Sequence, residues 1–325
     1  MIPLSDKDSV SKKYLQDKDR FADLFNFYLY DGQQVIQPEQ LREMDTTAIS
    51  LPYGQDGKVS SVQKQRDIIK VVSAMTDGHC DYLLLAIEVQ SELHYAMPPK
   101  NMLYDAMQYA DQIYQTAKTH RKNQDEASTT GEFLSGFYKT DKLLPVITLT
   151  VYLDAAEWDA PRSLHEMLLV KDERLLPFIP DYKLNLITPA NIDDTDFAKF
   201  HTELSPVLKY LKYSRSKDKL NEVVHTDPIY RRLDRDSAEV INIVTGSNLS
   251  IQQGKESIDM CQAIEEMRAE SRAEGRAEGR AEGEAKGILK TLISLVKDGI
   301  LTLSEAAKRA NMTVEDFEKQ SANLT

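Results

Sequence analysis

Hydrophobic positions in the first half of the chain change between helical and strand-like spacing. In DKDRFADLFNFYLYDG, apolar side chains recur every three or four residues, which predicts an amphipathic helix that ends at Gly32. Short runs with strand-like composition then predict strands over TAISLP and RDIIKVVSAM, the second of which alternates between two faces, and DYLLLAIEVQ predicts a third strand after the turn TDGHCD. The segment MPPKNMLYDAMQYADQIYQTAKTHRKN predicts a long helix whose buried stripe contains Leu103, Met107, Ala110 and Tyr114. After a polar loop, the apolar run LLPVITLTVYL predicts a fourth, buried strand.

Helical spacing dominates the second half, where we expect no further strands. One helical face from Phe197 onward contains Phe197, Phe200, Leu204, Val207, Leu208 and Leu211. AEVINIVTG predicts a helix that ends at Gly246. A four-residue RAEG repeat begins near Arg272 and is typical of a connector rather than a core. Beyond it, short helices are expected to begin at the capping patterns Thr302 to Glu305 and Thr313 to Asp316.

Together these patterns predict an α/β fold, a mixed sheet flanked by helices with a helical carboxyl-terminal extension. The order of the first elements is α, β, β, β, α, β. We expect an α/β core over residues 1–190, a helical extension over 191–267, a charged connector over 268–287 and a small helical tail over 288–325.

Composition and charge narrow the classes of function. The chain has 325 residues, 41% of them hydrophobic and 28% charged, which is typical of globular proteins. Its net charge of −12 gives no overall attraction to nucleic acid, so DNA would have to bind local basic patches. Cys80 and Cys261 stand far apart, and no apolar run approaches the length of a membrane span. We therefore expect a reduced, cytoplasmic protein with no membrane partner.

A carboxylate and a carboxamide, Glu88 and Gln90, stand two residues apart at the end of DYLLLAIEVQ. Alternate side chains of a strand share a face, so the two polar groups lie side by side. If the chain turns back near residues 76–80, Asp67 at the start of the preceding strand comes opposite Glu88. Hard divalent cations take oxygen ligands, and Asp67, Glu88 and the main-chain carbonyl of Val89 are the candidates. The other interpretation is that both carboxylates are solvated strand ends.

Several blocks of the chain resemble a known family. They are RFADLFNFYLYDG, RDIIKVV, LLLAIEVQSELHYAMPPKNMLYDAMQYADQIY, LLPVITLTVYLDAAEWDAPRSLHEML and the RAEG tail. They resemble the Rpn family of recombination-promoting nucleases, also called YhgA-like transposases, and the element order is similar to the PD-(D/E)XK nuclease fold. This resemblance implies a Mg²⁺-dependent DNA endonuclease in which Asp67 and Glu88 bind the metal. Gln90 then stands where the wider superfamily has lysine.

Gln90 lacks the charge of a catalytic lysine, although its amide can accept a hydrogen bond from water and donate one to phosphate. Lys100, in the first turn of the following helix, is our first candidate to supply that charge; a solvated lysine is the other interpretation. Asp23 is a candidate outer carboxylate, or an exposed aspartate of the opening helix. The family's tyrosine-glycine pair after the fourth strand is replaced by Asp154 and Ala155, which affects the turn there.

Two basic stretches are candidates for sequence-independent contact with DNA phosphates. They supply Lys118, Arg121 and Lys122 in AKTHRKN, and Lys212 and Arg215 in KYLKYSRSKDK. Cations are also common at helix carboxyl ends without any ligand, because they interact favourably with the helix dipole.

The RAEG repeat leaves two interpretations open. On a helix, its arginines stand four residues apart, as do its glutamates, so like charges are neighbours. Each glycine weakens the helix by about 1 kcal/mol relative to alanine. The arginine and glutamate stripes lie on nearly opposite faces, so a neighbouring helix could pair with both. The repeat and tail therefore form either a homo-oligomer contact or a flexible linker.

Two functions from different classes remain at this point. One is the metal-dependent DNA endonuclease. The other is a catalytically silent, oligomerising protein that binds DNA or protein, which the acidic charge and the missing lysine favour.

Overall fold

The computed structural model describes residues 4–44, 50–51, 60–61, 67–76, 79–249, 251 and 254–323. The strands are Arg42–Glu43 (β1), Ser50–Leu51 (β2), Ser60–Ser61 (β3), Ile68–Thr76 (β4), His79–Gln90 (β5), Val146–Tyr152 (β6), Asn185–Ile187 (β7), Leu233–Asp234 (β8) and Ser257–Ile258 (β9). The α-helices are Leu4–Gln16 (α1), Lys18–Tyr30 (α2), Met97–Asn123 (α3), Thr130–Ser135 (α4), Leu204–Tyr213 (α5), Lys217–Thr226 (α6), Arg235–Thr245 (α7), Met260–Lys297 (α8), Leu303–Arg309 (α9) and Val314–Asn323 (α10). The chain divides into two units, Met1–Cys261 and Gln262–Thr325.

A five-stranded sheet organises the first unit, with the strand order β1-β4-β5-β6-β7. The central strand β5 pairs antiparallel with β4 and parallel with β6, and β7 continues the parallel side. Residues 85–89 of β5 are all buried, so both faces of this strand are covered. The predicted α/β class, a mixed sheet flanked by helices, is confirmed.

The two amino-terminal helices differ in how well the sequence predicts them. Helix α2 forms as expected and buries Phe21, Leu24 and Phe25. It ends where Asp31 adopts a left-handed conformation, followed by Gly32 at φ 85°. A Cβ atom on Gly32 would lie 2.7 Å from the Cβ of Lys199, so this close approach requires glycine. Helix α1 has no counterpart among the predicted elements, and it buries Ser11, Tyr14 and Leu15.

Helix α3 forms as predicted, but the predicted stripe is partly wrong. Leu103 is 40% exposed, whereas the buried residues include Met97, Asn101, Tyr104 and Gln108, spaced four, three and four apart. The amide of Asn101 donates to Thr150 Oγ1 at 2.8 Å. The face of α3 that packs on the sheet thus contains polar groups, which a pattern of apolar residues alone does not identify.

Several short elements were not expected. The polar loop after α3 contains α4, and the unpredicted strands β1 and β7 form the two edges of the five-stranded sheet. The expectation of no strands after Phe197 is wrong, because β8 and β9 pair antiparallel. Two-residue strands have no recognisable period, and their pairing is decided by tertiary contacts. Helix α5 buries Leu204, Val207, Leu208 and Leu211 as predicted, whereas Phe197 and Phe200 lie before it begins. Helix α7 forms as expected, and Gly246 ends it in the left-handed conformation.

Part of the predicted β-hairpin region lies outside the described residues. Of the predicted strand over TAISLP, Ser50 and Leu51 are described and form β2, which pairs with β3. Residues 77 and 78 of the expected turn also lie outside them. The pairing of Thr76 with His79 nevertheless joins β4 directly to β5.

The second unit is helical. The whole RAEG repeat lies within α8, so the expected connector is a helix here. A small core contains Leu289, Leu292, Ala306, Ala307 and Phe317. Both predicted capping threonines accept a hydrogen bond from the main chain three residues later, at 3.3 Å for Glu305 and 3.2 Å for Asp316. The units meet in the chain at residues 261 and 262, whereas the expected extension ended at 267.

No helix among the described residues combines the length and the apolar character that crossing a membrane would require.

Candidate active site

The register of β4 and β5 places Asp67 opposite Glu88. Ile68 pairs with Ile87, so the next position outward on each strand is Asp67 and Glu88. Glu88 also pairs in register with Thr150 on β6, and its side chain is 1% exposed. The interpretation of Glu88 as a solvated strand end is therefore wrong, because it lies on the central strand of the sheet.

Asp67 continues the hydrogen bonding of the sheet after β4 has ended. Its Oδ2 accepts the main-chain N–H of Val89 at 2.9 Å, a group that would otherwise face the end of the neighbouring strand. The carbonyl of Val89, one of the predicted ligands, accepts the side-chain amide N–H of Gln90 at 2.8 Å. Asp67 and Gln90 thus both bind the same residue, and the amide oxygen of Gln90 is the end that can face a water.

Lys100 forms an ion pair with the buried carboxylate. Its Nζ lies 2.9 Å from Glu88 Oε2, and its side chain is 26% exposed. A lysine in the first turn of a helix is disfavoured by the dipole, and a buried carboxylate is costly without a partner. The ion pair gives the buried carboxylate of Glu88 a partner and offsets the unfavourable position of Lys100 on the helix dipole. It also places a cation where the sequence predicts one.

A second lysine, which the sequence did not identify, binds the other carboxylate. Lys12 on α1 places its Nζ 2.8 Å from Asp67 Oδ1. Burial lowers the pKa of Lys12, but the hydrogen bond and charge of Asp67 outweigh it, and the pKa lies above its ordinary value of 10.5. The charges of Asp8 and Glu88 act in the same direction. Lys12 is therefore protonated at neutral pH, and its charge acts on the same group of carboxylates.

The signal for Lys12 in the sequence is weak. Val10 and Tyr14 stand four residues apart, as do Ser11 and Leu15, which is the spacing of a helix. Tyr14 and Leu15 are buried, so this face of the helix packs against the rest of the first unit. That the same helix brings a lysine to Asp67, far along the chain, follows only from the tertiary structure.

The carboxylate oxygens of Asp67 and Glu88 are the type of donor that a hard cation prefers, and each carboxylate already binds a positive group. Lys12 binds Asp67 and Lys100 binds Glu88. Within the described part of the chain, no group of three or more histidine, cysteine, aspartate or glutamate residues could hold a metal ion. A divalent ion at this site would therefore have two carboxylates, with water or phosphate as further ligands. It would compete with both lysines.

The predicted DNA-contact residues lie in two different settings. Lys118, Arg121 and Lys122 are exposed in the last turns of α3, roughly 30 Å along the helix from Lys100 at about 1.5 Å per residue. In the second stretch, Lys212 Nζ binds the carbonyl of Ile192 at 2.7 Å and Asp194 at 2.8 Å. Arg215 pairs with Asp154 at 2.8 Å. The cations of the second stretch are thus already held by the protein.

Two other predicted aspartates have structural roles. Asp23 is 1% exposed and accepts the main-chain N–H groups of His201 and Thr202 at 3.0 and 2.9 Å. It is therefore a buried acceptor, and both proposed interpretations, an outer metal ligand and an exposed aspartate, are wrong. Asp154 accepts the N–H of Ala156 at 2.6 Å, so it forms the turn after β6 itself. Since Tyr152 at the end of β6 pairs with Gln90, the Arg215–Asp154 pair lies at the same edge of the sheet as Gln90.

The comparison with protein families gives one match. A family model described as "Putative transposase, YhgA-like" matches residues 5–239, well over half of the chain. The matched range contains Lys12, Asp67, Glu88, Gln90 and Lys100 and ends before α8. Searches among curated proteins and among solved structures gave no significant match.

Proposed function

This chain belongs to the YhgA-like transposase family, and from that premise we propose that it is a DNA endonuclease that hydrolyses phosphodiester bonds with Mg²⁺ as cofactor. The observation that carries the proposal is the placement of Asp67 and Glu88 at opposite positions of adjacent strands, each joined to a lysine. Family membership alone supports a transposase or nuclease type of protein. The paired carboxylates and lysines support the phosphodiester chemistry.

Asp67, Glu88 and the carbonyl of Val89 are the residues that would hold Mg²⁺. A bound Mg²⁺ would neutralise phosphate oxygens and lower the pKa of a water ligand. For the Val89 carbonyl to take part, the amide of Gln90 would have to turn away from it. The two carboxylates are the stronger ligands, because they carry charge and hard cations favour charged oxygen.

The remaining polar groups act on water and phosphate. While the amide nitrogen of Gln90 stays on the carbonyl of Val89, the two carboxylates would hold the metal without that carbonyl, and the amide oxygen of Gln90 would accept a hydrogen bond from the attacking water and orient it. Lys100, displaced from Glu88, donates to a phosphate oxygen and stabilises the charge that develops there. Lys12 supplies a second cation on the side of Asp67. Together the lysines provide the positive charge that a glutamine at position 90 lacks.

Cleavage of supercoiled plasmid by the purified protein tests the proposal. We expect cleavage with Mg²⁺ and none in EDTA. Asp67→Asn and Glu88→Gln should each reduce the rate by at least about 100-fold, because each removes a charge that binds the metal. Gln90→Lys should retain or raise activity by adding a cation beside the phosphate. Glu92→Gln is the matched control, because it neutralises an exposed carboxylate of the same segment.

The choice of glutamine over alanine at position 88 follows from burial. Glu88 is 1% exposed and pairs with Lys100, and removing one partner of a buried pair costs about 3 kcal/mol or more. Alanine would remove this partner of Lys100 altogether, whereas glutamine keeps the size of the side chain and an oxygen that can accept a hydrogen bond. Circular dichroism should accompany every variant to show that it is folded.

Three outcomes would count against the nuclease. They are undiminished cleavage in EDTA, wild-type rates for both carboxylate variants, and no cleavage with Mg²⁺ or Mn²⁺. The last result would favour the catalytically silent binding protein, in which the lysines neutralise the carboxylates permanently. The cytoplasmic location stays a prediction.

A further inference from the structure

Within the described residues of the second unit, the RAEG repeat is a helix whose side chains are exposed. Residues 269–288 of α8 are all exposed, a length of roughly 30 Å at about 1.5 Å per residue. Gly275, Gly279, Gly283 and Gly287 recur every four residues, and a Cβ on any of them would meet no atom within 4 Å beyond the neighbouring residues and nearby backbone of its own helix. Glycine is a poor helix former, and most helical stability in proteins comes from packing. This segment therefore has a surface suited to a partner.

Charges within the repeat do not stabilise it. Among the described residues, Arg272, Arg276 and Arg280 form no ion pair, and each has another arginine four residues away. A favourable pair begins where the repeat changes: Lys286 lies 3.4 Å from Glu282. The unpaired charges of the repeat are thus left for contacts outside this helix.

The order of residues around the helix decides which partner fits. At about 100° per residue, the glycine stripe has the arginine stripe on one side and the glutamate stripe on the other. When two copies face each other in parallel about a two-fold axis, the arginines of each lie beside the glutamates of the other, on both flanks. When the copies run antiparallel, arginines face arginines and glutamates face glutamates. Charge complementarity therefore selects a parallel partner of the same sequence.

We propose that residues 269–288 form a parallel homodimer through the glycine face of α8. Without Cβ atoms on this face, the two backbones can approach closely, as small residues allow in other helix pairs. A spacing of four residues runs along the ridges that interlock in right-handed crossings, at roughly −50°. The tertiary fold of the first unit is not required for this contact, so the proposal is independent of the nuclease proposal.

The last unit of the repeat fixes the register. In EAKG, Glu284 stands in the arginine stripe and Lys286 in the glutamate stripe. In a parallel pair without offset, Glu284 still lies beside a residue of opposite charge, Lys286 of the other copy. An offset of one repeat would place Glu284 beside Glu282. Because EAKG reverses the charges of RAEG, it disfavours pairs of helices that are offset by one repeat. Single polar or charged positions specify register in other paired helices in the same way.

Charge reversal in the full-length chain, followed by sedimentation equilibrium, tests this inference. The wild type should dimerise, more weakly as salt rises. Replacing the three arginines should weaken dimerisation by at least about tenfold, because every arginine–glutamate cross-pair becomes a repulsive pair of glutamates. The substitutions are Arg272→Glu, Arg276→Glu and Arg280→Glu. The opposite variant, Glu274→Arg, Glu278→Arg and Glu282→Arg, should also fail to dimerise, whereas a mixture of the two should form heterodimers.

The mixture distinguishes lost complementarity from lost folding, because misfolded variants would not recombine. A matched control reverses three exposed lysines outside the repeat and changes the net charge equally. These are Lys255→Glu, Lys290→Glu and Lys319→Glu. The control should dimerise like the wild type. A monomeric wild type would overturn the parallel pair and favour a flexible linker. An arginine variant that dimerises normally, or a mixture that stays monomeric, would also overturn it, because any dimer contact would then lie outside the repeat.

Discussion

Lys12 is the residue through which α1 reaches the candidate site. Its ammonium group binds Asp67, so a metal ion that bound the same carboxylate would have to compete with it. The Nζ to Oδ1 distance is 2.8 Å. Because its pKa is raised above 10.5, the competing charge is present at every pH where the protein would be assayed. The affinity of the proposed Mg²⁺ site would therefore be set partly by a lysine that lies outside the sequence motif.

We predict that Lys12→Met tightens the binding of Mg²⁺ by roughly threefold to tenfold, since a competing cation is removed from Asp67. Isothermal titration calorimetry without DNA measures this directly. Lys13→Met is the matched control, because Lys13 is the exposed neighbour on the same helix. Equal affinities in wild type and Lys12→Met would contradict the competition.

At the scale of the element, the carboxyl end of α3 is tied to the loop that follows it by His120. One ring nitrogen lies 2.8 Å from Asp125 and the other 2.9 Å from Asp141, and the ring stacks on Tyr138 at 3.9 Å between centroids. The hydrogen bonds to Asp125 and then Asp141 raise the pKa of His120 above its ordinary value of 6.5. The imidazolium thus favours the folded connection.

The sign of the pH dependence follows from the direction of this shift. A raised pKa in the folded state stabilises the protein fully below pH 6.5, and the contribution is lost as pH rises through the folded-state pKa. We predict that an NMR titration of the His120 ring gives a midpoint above 6.5, and that Asp125→Asn lowers it. Asp111→Asn, on the same helix, should leave the midpoint unchanged. A midpoint at or below 6.5 in the wild type would contradict the bridge.

At the scale of the whole molecule, a protein of net charge −12 can bind DNA only through local cationic surface. Lys118, Arg121 and Lys122 are exposed at one end of α3. Arg215 is instead paired with Asp154 at 2.8 Å. A phosphate approaching Arg215 would have to displace a carboxylate, whereas the α3 cluster is open to solvent.

We predict that replacing Lys118, Arg121 and Lys122 together with alanine weakens DNA binding. It should also make the slope of log K against log salt shallower by up to about 2.7, because each phosphate that the protein no longer neutralises changes the slope by about 0.9. Fluorescence anisotropy of a labelled duplex in EDTA, at several KCl concentrations, gives both quantities. Arg215→Ala should change the affinity little. If Arg215→Ala has the larger effect, the second basic stretch is the binding surface.

Some features followed from the sequence because they depend on neighbours along the chain. The apolar run DYLLLAIEVQ identified β5, the period of two of a strand placed Glu88 and Gln90 on one face, and the position of Asp67 at the start of the previous strand brought it opposite Glu88. The capping threonines of the tail could also be predicted, because a cap and the main-chain group that it binds are only three residues apart. Lys100 was found because it lies in the first turn of the helix directly after β5.

Tertiary structure alone decided the contacts between distant segments. Lys12 reaches Asp67 from a helix whose sequence pattern is weak, and Asp23 is buried because His201 and Thr202 donate to it. The packed face of α3 is polar at Asn101, so counting apolar residues gave a stripe that is right at Met107 and Ala110 and wrong at Leu103. Sequence period records which residues avoid water, whereas ion pairs and buried polar contacts depend on which surfaces the fold brings together.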